Sequence, residues 1–496
     1  MSHHLSLDPA SRPRPRFLDG APKQLFIGGE WRPAGSGQTL TTIDPMTEQV
    51  ITSIASADAA DVDLAVAAAR RAFESDEWSA ITPYQRGLYL SQIADVIEAN
   101  ADELATLDSL DMGGPFALTR WMVGNAIETY RHYAGWPTKI YGQTAPSAPG
   151  QFNYVVRQPL GVTVAITPWN GPFLQMSWKV APALATGNTV VAKPAQQTSL
   201  SALRFAELLA QTDLPRGVFN IITGEGGVAG EALIQHPDVN KVSFTGSTAV
   251  GKHLLAASAV NVKRLTLELG GKSPTIVFAD ADLPAAAKAA AGDFLNGSGQ
   301  SCVAGTRIFV EEPVREEFSA LLAEEMATYV TGDPFHPDTV IGPLASRAHY
   351  DRVVSYFDVA RDAGATITTG GVEDPDGGLF VAPTLVENVT NDARIAQEEV
   401  FGPVAVLIPF NGVDEVVRMS NDSIYGLASY VWTRDLSQAH TVAARLEAGS
   451  VFINSTAQMS SGILPFGGFK QSGIGREHGT DVIDAFTETK TVVVNL

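Results

Sequence analysis

The chain has a single cysteine among its 496 residues, and that scarcity excludes two things at once. One thiol can make neither an internal disulfide nor a cysteine-based zinc site. It fits a reducing compartment, so a cytoplasmic location is expected. The 9 histidines show no metal-ligand spacing, and no metal site is expected. Positive charge is also short: 34 Lys and Arg face 54 Asp and Glu, for a formal charge of −20. Nucleic acid, whose phosphates attract a basic surface, is therefore not an expected partner. No run of about 18 uncharged apolar residues occurs, so no membrane-spanning helix is expected. The nearest stretch, Val180–Val191, is broken by Pro182, Gly187 and Asn188. The opening M-S-H-H-L-S-L-D-P-A-S-R-P-R-P-R-F lacks the apolar core of a secretory signal and reads as a disordered extension over residues 1–20.

What is present is an ordinary globular balance, 45% apolar and 18% charged, in a chain too long for one core. Residues 25–55 read as short strands with turns. Residues 58–136 change to helical period, with Asp61 expected as the N-cap of the first helix. Residues 138–160 are strand-like again and resemble an arm. From Val162 strands and helices alternate: V-T-V-A-I-T, T-V-V-A-K, V-F-N-I-I, K-V-S-F-T and R-L-T-L-E-L are the strands. That alternation predicts a parallel, doubly wound α/β sheet, which binds ligands at the carboxyl ends of its strands. A second alternating region, about 272–470, predicts another α/β domain. The apolar tail T-K-T-V-V-V-N-L has no partner nearby in sequence and is expected to pair with the 140–160 arm of a neighbouring subunit.

The stretch Leu265–Pro274, L-T-L-E-L-G-G-K-S-P, organises the rest. Its period of two predicts a strand with one buried face, ended by Gly270 and Gly271. The bland account of Glu268 is the polar side of that strand. Downstream lies Cys302, inside G-S-G-Q-S-C. A buried cysteine is usually inert, yet core packing does not need Gly297, Gly299 and Gly305 around it. A loop thiol beside a strand-end carboxylate can form a nucleophile–base pair. P-W-N-G-P at 168–172 is either a turn or an Asn170 amide placed to hold an oxyanion. Lys193 ends a strand, where a snorkelling lysine is the plain alternative. Phe244-Thr245-Gly246-Ser247 sits between strand and helix, where backbone N–H groups can hold a pyrophosphate. Glu398 and Glu399 precede Phe401-Gly402-Pro403 and read locally as an exposed acidic turn.

Taken together these motifs resemble the aldehyde dehydrogenase superfamily, over about Gln24 to Asn495. L-E-L-G-G-K-S-P resembles its glutamate signature and L-N-G-S-G-Q-S-C its cysteine signature. T-P-W-N, F-T-G-S, E-E-V-F-G-P-V and L-P-F-G-G-F-K-Q-S-G-I-G-R-E follow in the family's order. The resemblance implies a Rossmann-like parallel-sheet cofactor domain (21–138 and 160–270), a second α/β catalytic domain (271–470), and a small β oligomerisation arm (139–159 and 486–496). It implies oxidation of an aldehyde to its acid with NAD(P). Cys302 would be the nucleophile, Asn170 the oxyanion donor and Glu268 the base that hydrolyses the thioester. Cofactor contacts would come from Thr167, Trp169, Lys193, Gln196, Gly246, Ser247, Leu269, Glu399 and Phe401, with Trp169 and Lys193 on the adenosine side. Lys179 and Glu477 would relay protons behind Glu268. Leu174, Trp178, Ser301, Val303 and Phe466 would line an apolar aldehyde tunnel. That lining favours an aliphatic or aromatic aldehyde over a charged semialdehyde, unless Arg120 or Arg157 reaches it. Gln196 stands where many NAD-preferring members carry an acid, which predicts NAD use with measurable NADP use. A homodimer or homotetramer is expected. The rivals are a CoA-acylating semialdehyde dehydrogenase, against which Glu268 argues, and a non-catalytic protein on the same fold.

Overall fold

The computed structural model describes residues 5–8, 11–371, 378–457 and 462–496. Two large sheets dominate it. The first has eight strands in the order Gly473–Ile474, Arg264–Glu268, Lys241–Thr245, Val162–Ile166, Thr189–Lys193, Phe219–Ile221, Leu25–Ile27 and Glu30–Arg32. The five strands from Arg264–Glu268 to Phe219–Ile221 run parallel, and both margins are antiparallel. The chain builds outward from Val162–Ile166 in one direction, then returns to its other side with Lys241–Thr245. That reversal is a topological switch point, and it leaves a crevice at the carboxyl ends of these two strands. The loops there are Thr167–Gly171 and Gly246–Ser247.

The second sheet has seven strands, ordered Thr366–Thr369, Thr384–Glu387, Val404–Phe410, Arg307–Glu311, Pro274–Val277, Ala428–Trp432 and Ser450–Ile453. All pairings but the first are parallel. Helices cover both large sheets, as parallel strands require. The helix Pro172–Ala185 is buried along its whole length, and its N-terminus opens on the crevice of the first sheet.

Four expectations need correction. Arg264–Glu268 is an interior strand, paired on both sides, so Thr266, Leu267 and Glu268 are all buried. The one-faced reading of the strand fails because neighbours cover its other face too. The N-cap of the helix Ala59–Glu74 is Asp58, whose side chain accepts from the N–H groups of Ala60 and Asp61; buried Asp61 closes the capping box from the third position. The tail strand Thr487–Asn495 pairs along its length with Gln151–Pro159 of the same chain, not of a neighbour. Together with Gln143–Ala145 it makes a three-stranded sheet whose outer edges pair with no other strand among the described residues. The N-terminal extension, expected to be disordered, is docked where it is described. Leu5 exchanges backbone hydrogen bonds with Thr331 and Asp333, and Arg12 pairs with Asp44 and Asp333.

Candidate active site

The helix Leu283–Leu295 ends at Asn296, and the chain turns through Gly297, Ser298 and Gly299, all at positive φ. Ser298 is not a glycine, so this turn carries strain that its surroundings must hold. Its buried hydroxyl donates to Gly342 O at 2.7 Å. A Cβ on Gly299 would stand 2.2 Å from Gly402 O, so only glycine lets the two loops touch. Beyond the turn the chain is pinned from several directions. Asn170 Nδ2 donates to Gln300 O at 2.8 Å, Ala345 N donates to Gln300 Oε1 at 2.9 Å, and the Tyr430 hydroxyl donates to Val303 O at 2.8 Å. The free thiol of Cys302 sits on this fixed segment.

Two cavities meet at Cys302. One, of about 350 Å³, is lined by Cys302, by the acids Glu268, Asp293 and Glu477, by several amides and hydroxyls, and by apolar and aromatic side chains. All five expected tunnel residues, Leu174, Trp178, Ser301, Val303 and Phe466, are on its wall. The other, of about 170 Å³, fills the switch-point crevice and is lined by Trp169, Gly246, Ser247, Leu269, Glu399 and Phe401, among others. Asn170, Gln175, Thr245 and Cys302 line both. The structure therefore brings Cys302, Glu268 and Asn170 to one place, as the sequence predicts.

Glu268 ends its strand opposite Thr245, and its backbone O accepts from Gly246 N at 3.0 Å. Both carboxyl oxygens are buried and lack a hydrogen-bond partner. Burial pushes this carboxyl well above the ordinary carboxylate range, and the nearby charge of Glu477 pushes it further. Behind it Lys179 Nζ donates to Glu477 Oε1 at 2.6 Å and to Thr245 Oγ1 at 2.6 Å, and Ser243 Oγ donates to Glu477 Oε1 at 3.1 Å. This buried polar chain is where the expected relay residues fall. Burial raises the Cys302 thiol to about 12, helped by the carboxylates of Glu399 and Glu268, so the thiol is protonated near neutrality in this arrangement. Gly271 admits the backbone here: a Cβ on it would lie 2.2 Å from Cys302 O.

The crevice sets a helix N-terminus beside a carboxyl group. The helix Thr248–Ala257 is N-capped by Ser247, and its first N–H groups point toward Gly246 and Ser247. Glu399 is no exposed turn; it is half-buried, its Oε1 accepts from Gly271 N at 2.9 Å, and desolvation lifts it to about 7. Phe401 holds φ +64°, and its backbone O is 2.7 Å from His349 Nε2. The Trp169 ring packs 5.3 Å from that of Phe401 and 4.9 Å from His349. It thus stands with Phe401 and His349 on the wall of the crevice. Lys193 is buried at the end of its own strand with its stem near Gly230, and desolvation lowers its ammonium to about 8. Gln196 follows in a half-buried turn. Thr167 N donates to Lys193 O at 3.2 Å, joining the two strand ends.

Arg120 pairs with Asp102 and Arg157 with Asp484, and neither lines the tunnel. Sequence reasoning missed His349 and Arg352, which reach the crevice from the helix Arg347–Asp362. It also missed Trp121, Met122, Asp293 and Tyr430 on the tunnel wall. No group of three or more His, Cys, Asp or Glu suited to a metal occurs among the described residues. No described helix is long and apolar enough to cross a membrane.

Comparison with known proteins gives one result throughout. The aldehyde dehydrogenase family model matches residues 31–492. An aldehyde dehydrogenase of Alternaria alternata is 45% identical over 96% of this chain and 96% of its own. Aldehyde dehydrogenase 1A1 of Gallus gallus is 43% identical over 95% of this chain and 93% of its own. Among solved structures, the NAD+ complex of an aldehyde dehydrogenase from Bacillus cereus superposes with a TM-score of 0.95, at 42% identity over 100% of both chains.

Proposed function

Since the chain belongs to the aldehyde dehydrogenase family, we propose that it oxidises an aliphatic or aromatic aldehyde through a covalent cysteine intermediate, with NAD preferred and NADP accepted. The observation that carries this reading is the position of Cys302 on the wall of both cavities, with the unpartnered carboxyl of Glu268 on one of them. An aldehyde entering by the tunnel and a cofactor in the crevice would meet at that thiol.

The residues fit the cofactor. The capped helix start at Gly246 and Ser247 would hold the pyrophosphate, and Glu399 with Phe401 would hold the nicotinamide riboside. Bound there, NAD would supply the hydride acceptor. In the first half-reaction the Cys302 thiol would give its proton to water as the sulfur bonds to the carbonyl carbon, leaving the negative charge on the carbonyl oxygen. The Asn170 amide, already held beside the loop through Gln300 O, has a second N–H to donate to the oxyanion, together with the Cys302 backbone N–H. Loss of hydride leaves a thioester on Cys302. In the second half-reaction Glu268 takes a proton from water, which attacks the thioester and releases the acid. A desolvated carboxyl whose proton affinity is raised is a better base than an exposed one. The Lys179–Glu477 pair gives that proton a route away from the site.

One free thiol suits a reducing, cytoplasmic setting, and the outer edges of the three-stranded arm suit assembly into a homodimer or homotetramer. The direct test follows absorbance of the reduced cofactor with the purified protein, NAD or NADP, and a panel of alkanals and aromatic aldehydes. NADH formation without added CoA supports the reading. No turnover of any aldehyde, or turnover only when CoA is supplied, overturns it.

A further inference from the structure

Asp293 lies in the last turn of the helix Leu283–Leu295 and lines the same cavity as Cys302. It is out of place there in two ways. A carboxylate near a helix C-terminus faces the negative end of the helix dipole. Its Oδ2 is also buried with no hydrogen-bond partner. A group left in that state costs free energy that a ligand could recover. The surroundings supply no cation. Among the described residues lining the cavity there is no Lys, Arg or His, and the neighbouring sequence 458–461, Q-M-S-S, contains none. Burial accordingly raises this carboxyl to about 8, opposed only by a backbone N–H at Ala457. Tyr430 stands near both Asp293 and Cys302, since its phenol is pushed up by the charge of each. Its own proton is committed to Val303 O, so it does not satisfy the carboxyl.

Four aromatic side chains, Trp121, Trp178, Tyr430 and Phe466, stand on the same wall. Ring faces attract a cation, and a carboxylate among them gives it a counter-charge. A carboxylate-tailed aldehyde would bring a second acid to a wall where no lining cation is present to pair with either. A plain alkanal would bury Asp293 further and leave it unpaired. An alkylammonium tail brings both the missing charge and N–H donors.

We propose that Asp293 is a specificity-determining residue that selects aliphatic aldehydes carrying a positively charged amino group at the end remote from the carbonyl. The proposal rests on the aldehyde-oxidising reading above and narrows its substrate class.

The test compares kcat/KM for 6-aminohexanal, heptanal and 6-oxohexanoate, and for the shorter pair 3-aminopropanal and butanal, with NAD. At one length or both, the amino aldehyde should exceed its alkanal by about tenfold or more, and the carboxylate should be the poorest. In Asp293→Asn the ratio of amino aldehyde to alkanal should fall by about tenfold, and Asp293→Glu should restore part of it. Because the readout is a ratio, partial loss of folded enzyme cancels. A wild-type ratio near one at both lengths, or a ratio unchanged in Asp293→Asn, overturns the proposal while alkanal turnover leaves the aldehyde-oxidising reading standing. Absence of turnover with every aldehyde sinks that reading itself.

Discussion

The two cavities that meet at Cys302 are built on opposite principles. In the switch-point crevice nearly every polar group has an assigned partner: Glu399 accepts from Gly271 N, His349 lies on Phe401 O, and Arg352 donates to Glu399 O. In the tunnel the carboxyls of Glu268 and Asp293 have buried oxygens with none. A satisfied crevice is a fixed mould, suited to a ligand that is always the same. Unsatisfied groups are reactive or selective, because water or substrate must complete them. The contrast predicts that substitutions on the tunnel side cost more in chemistry, and those on the crevice side more in cofactor choice.

Removing the shared sulfur breaks both sides at once. Cys302→Ala should lower NADH formation on the order of 10⁴-fold or more, with the fold retained by circular dichroism. Glu268→Gln separates the two halves of the reaction. Hydride transfer needs only the thiol and the oxyanion donors, so a quenched-flow trace should show one NADH per site. Hydrolysis should then stall, with steady-state turnover reduced on the order of 10²- to 10³-fold. Steady turnover at the wild-type rate would remove Glu268 from its role.

The thiol's own titration is the next largest effect. With its pKa held near 12 by burial and by Glu399 and Glu268, Cys302 is a thiol across the neutral range. The thiolate fraction then grows about tenfold per pH unit well below that value. In cofactor-free enzyme the iodoacetamide labelling rate should climb about 100-fold from pH 7 to pH 9 without a plateau. Glu399→Gln removes the larger of the two opposing charges and should raise the rate at pH 8 more than Glu268→Gln does. A plateau at or below pH 8 would mean the carboxylates do not control the thiol.

Much of this site was legible in the sequence because its motifs sit where strands end. The run from Leu265 had to be a strand stopped by Gly270 and Gly271, and Gly271 is glycine because Cys302 O lies against it. What local pattern misjudged was coverage. Glu268 looked like the wet face of a strand, but the strand is paired on both sides and Thr266, Leu267 and Glu268 are all buried. The tail strand's partner was equally hidden, since Gln151–Pro159 lies more than 300 residues away and nothing local marks the pairing. His349, Arg352 and Trp121 come from helices with ordinary patterns, so no local rule singles them out. Asp293 did leave a trace: an acid in the last turn of an alanine-rich helix, where the dipole disfavours it.

The smallest expected effect lies at the far end of the crevice. Gln196 is half-buried in the turn three residues beyond Lys193, whose ammonium is buried and lowered to about 8. A neutral amide there neither grips a ribose 2′-hydroxyl as a carboxylate would nor repels a 2′-phosphate. Gln196→Glu should therefore raise the NAD over NADP ratio of kcat/KM by about tenfold, a difference of about 1.4 kcal/mol between the two cofactors. Most of the change should fall on NADP, because repulsion between the new charge and the phosphate adds to the lost contact. The aldehyde's kcat/KM at saturating NAD should move little, since the tunnel is untouched. If the ratio stays level, the 2′ position is read by another side chain, and the crevice is less completely described by its fixed contacts than the tunnel is by its open ones.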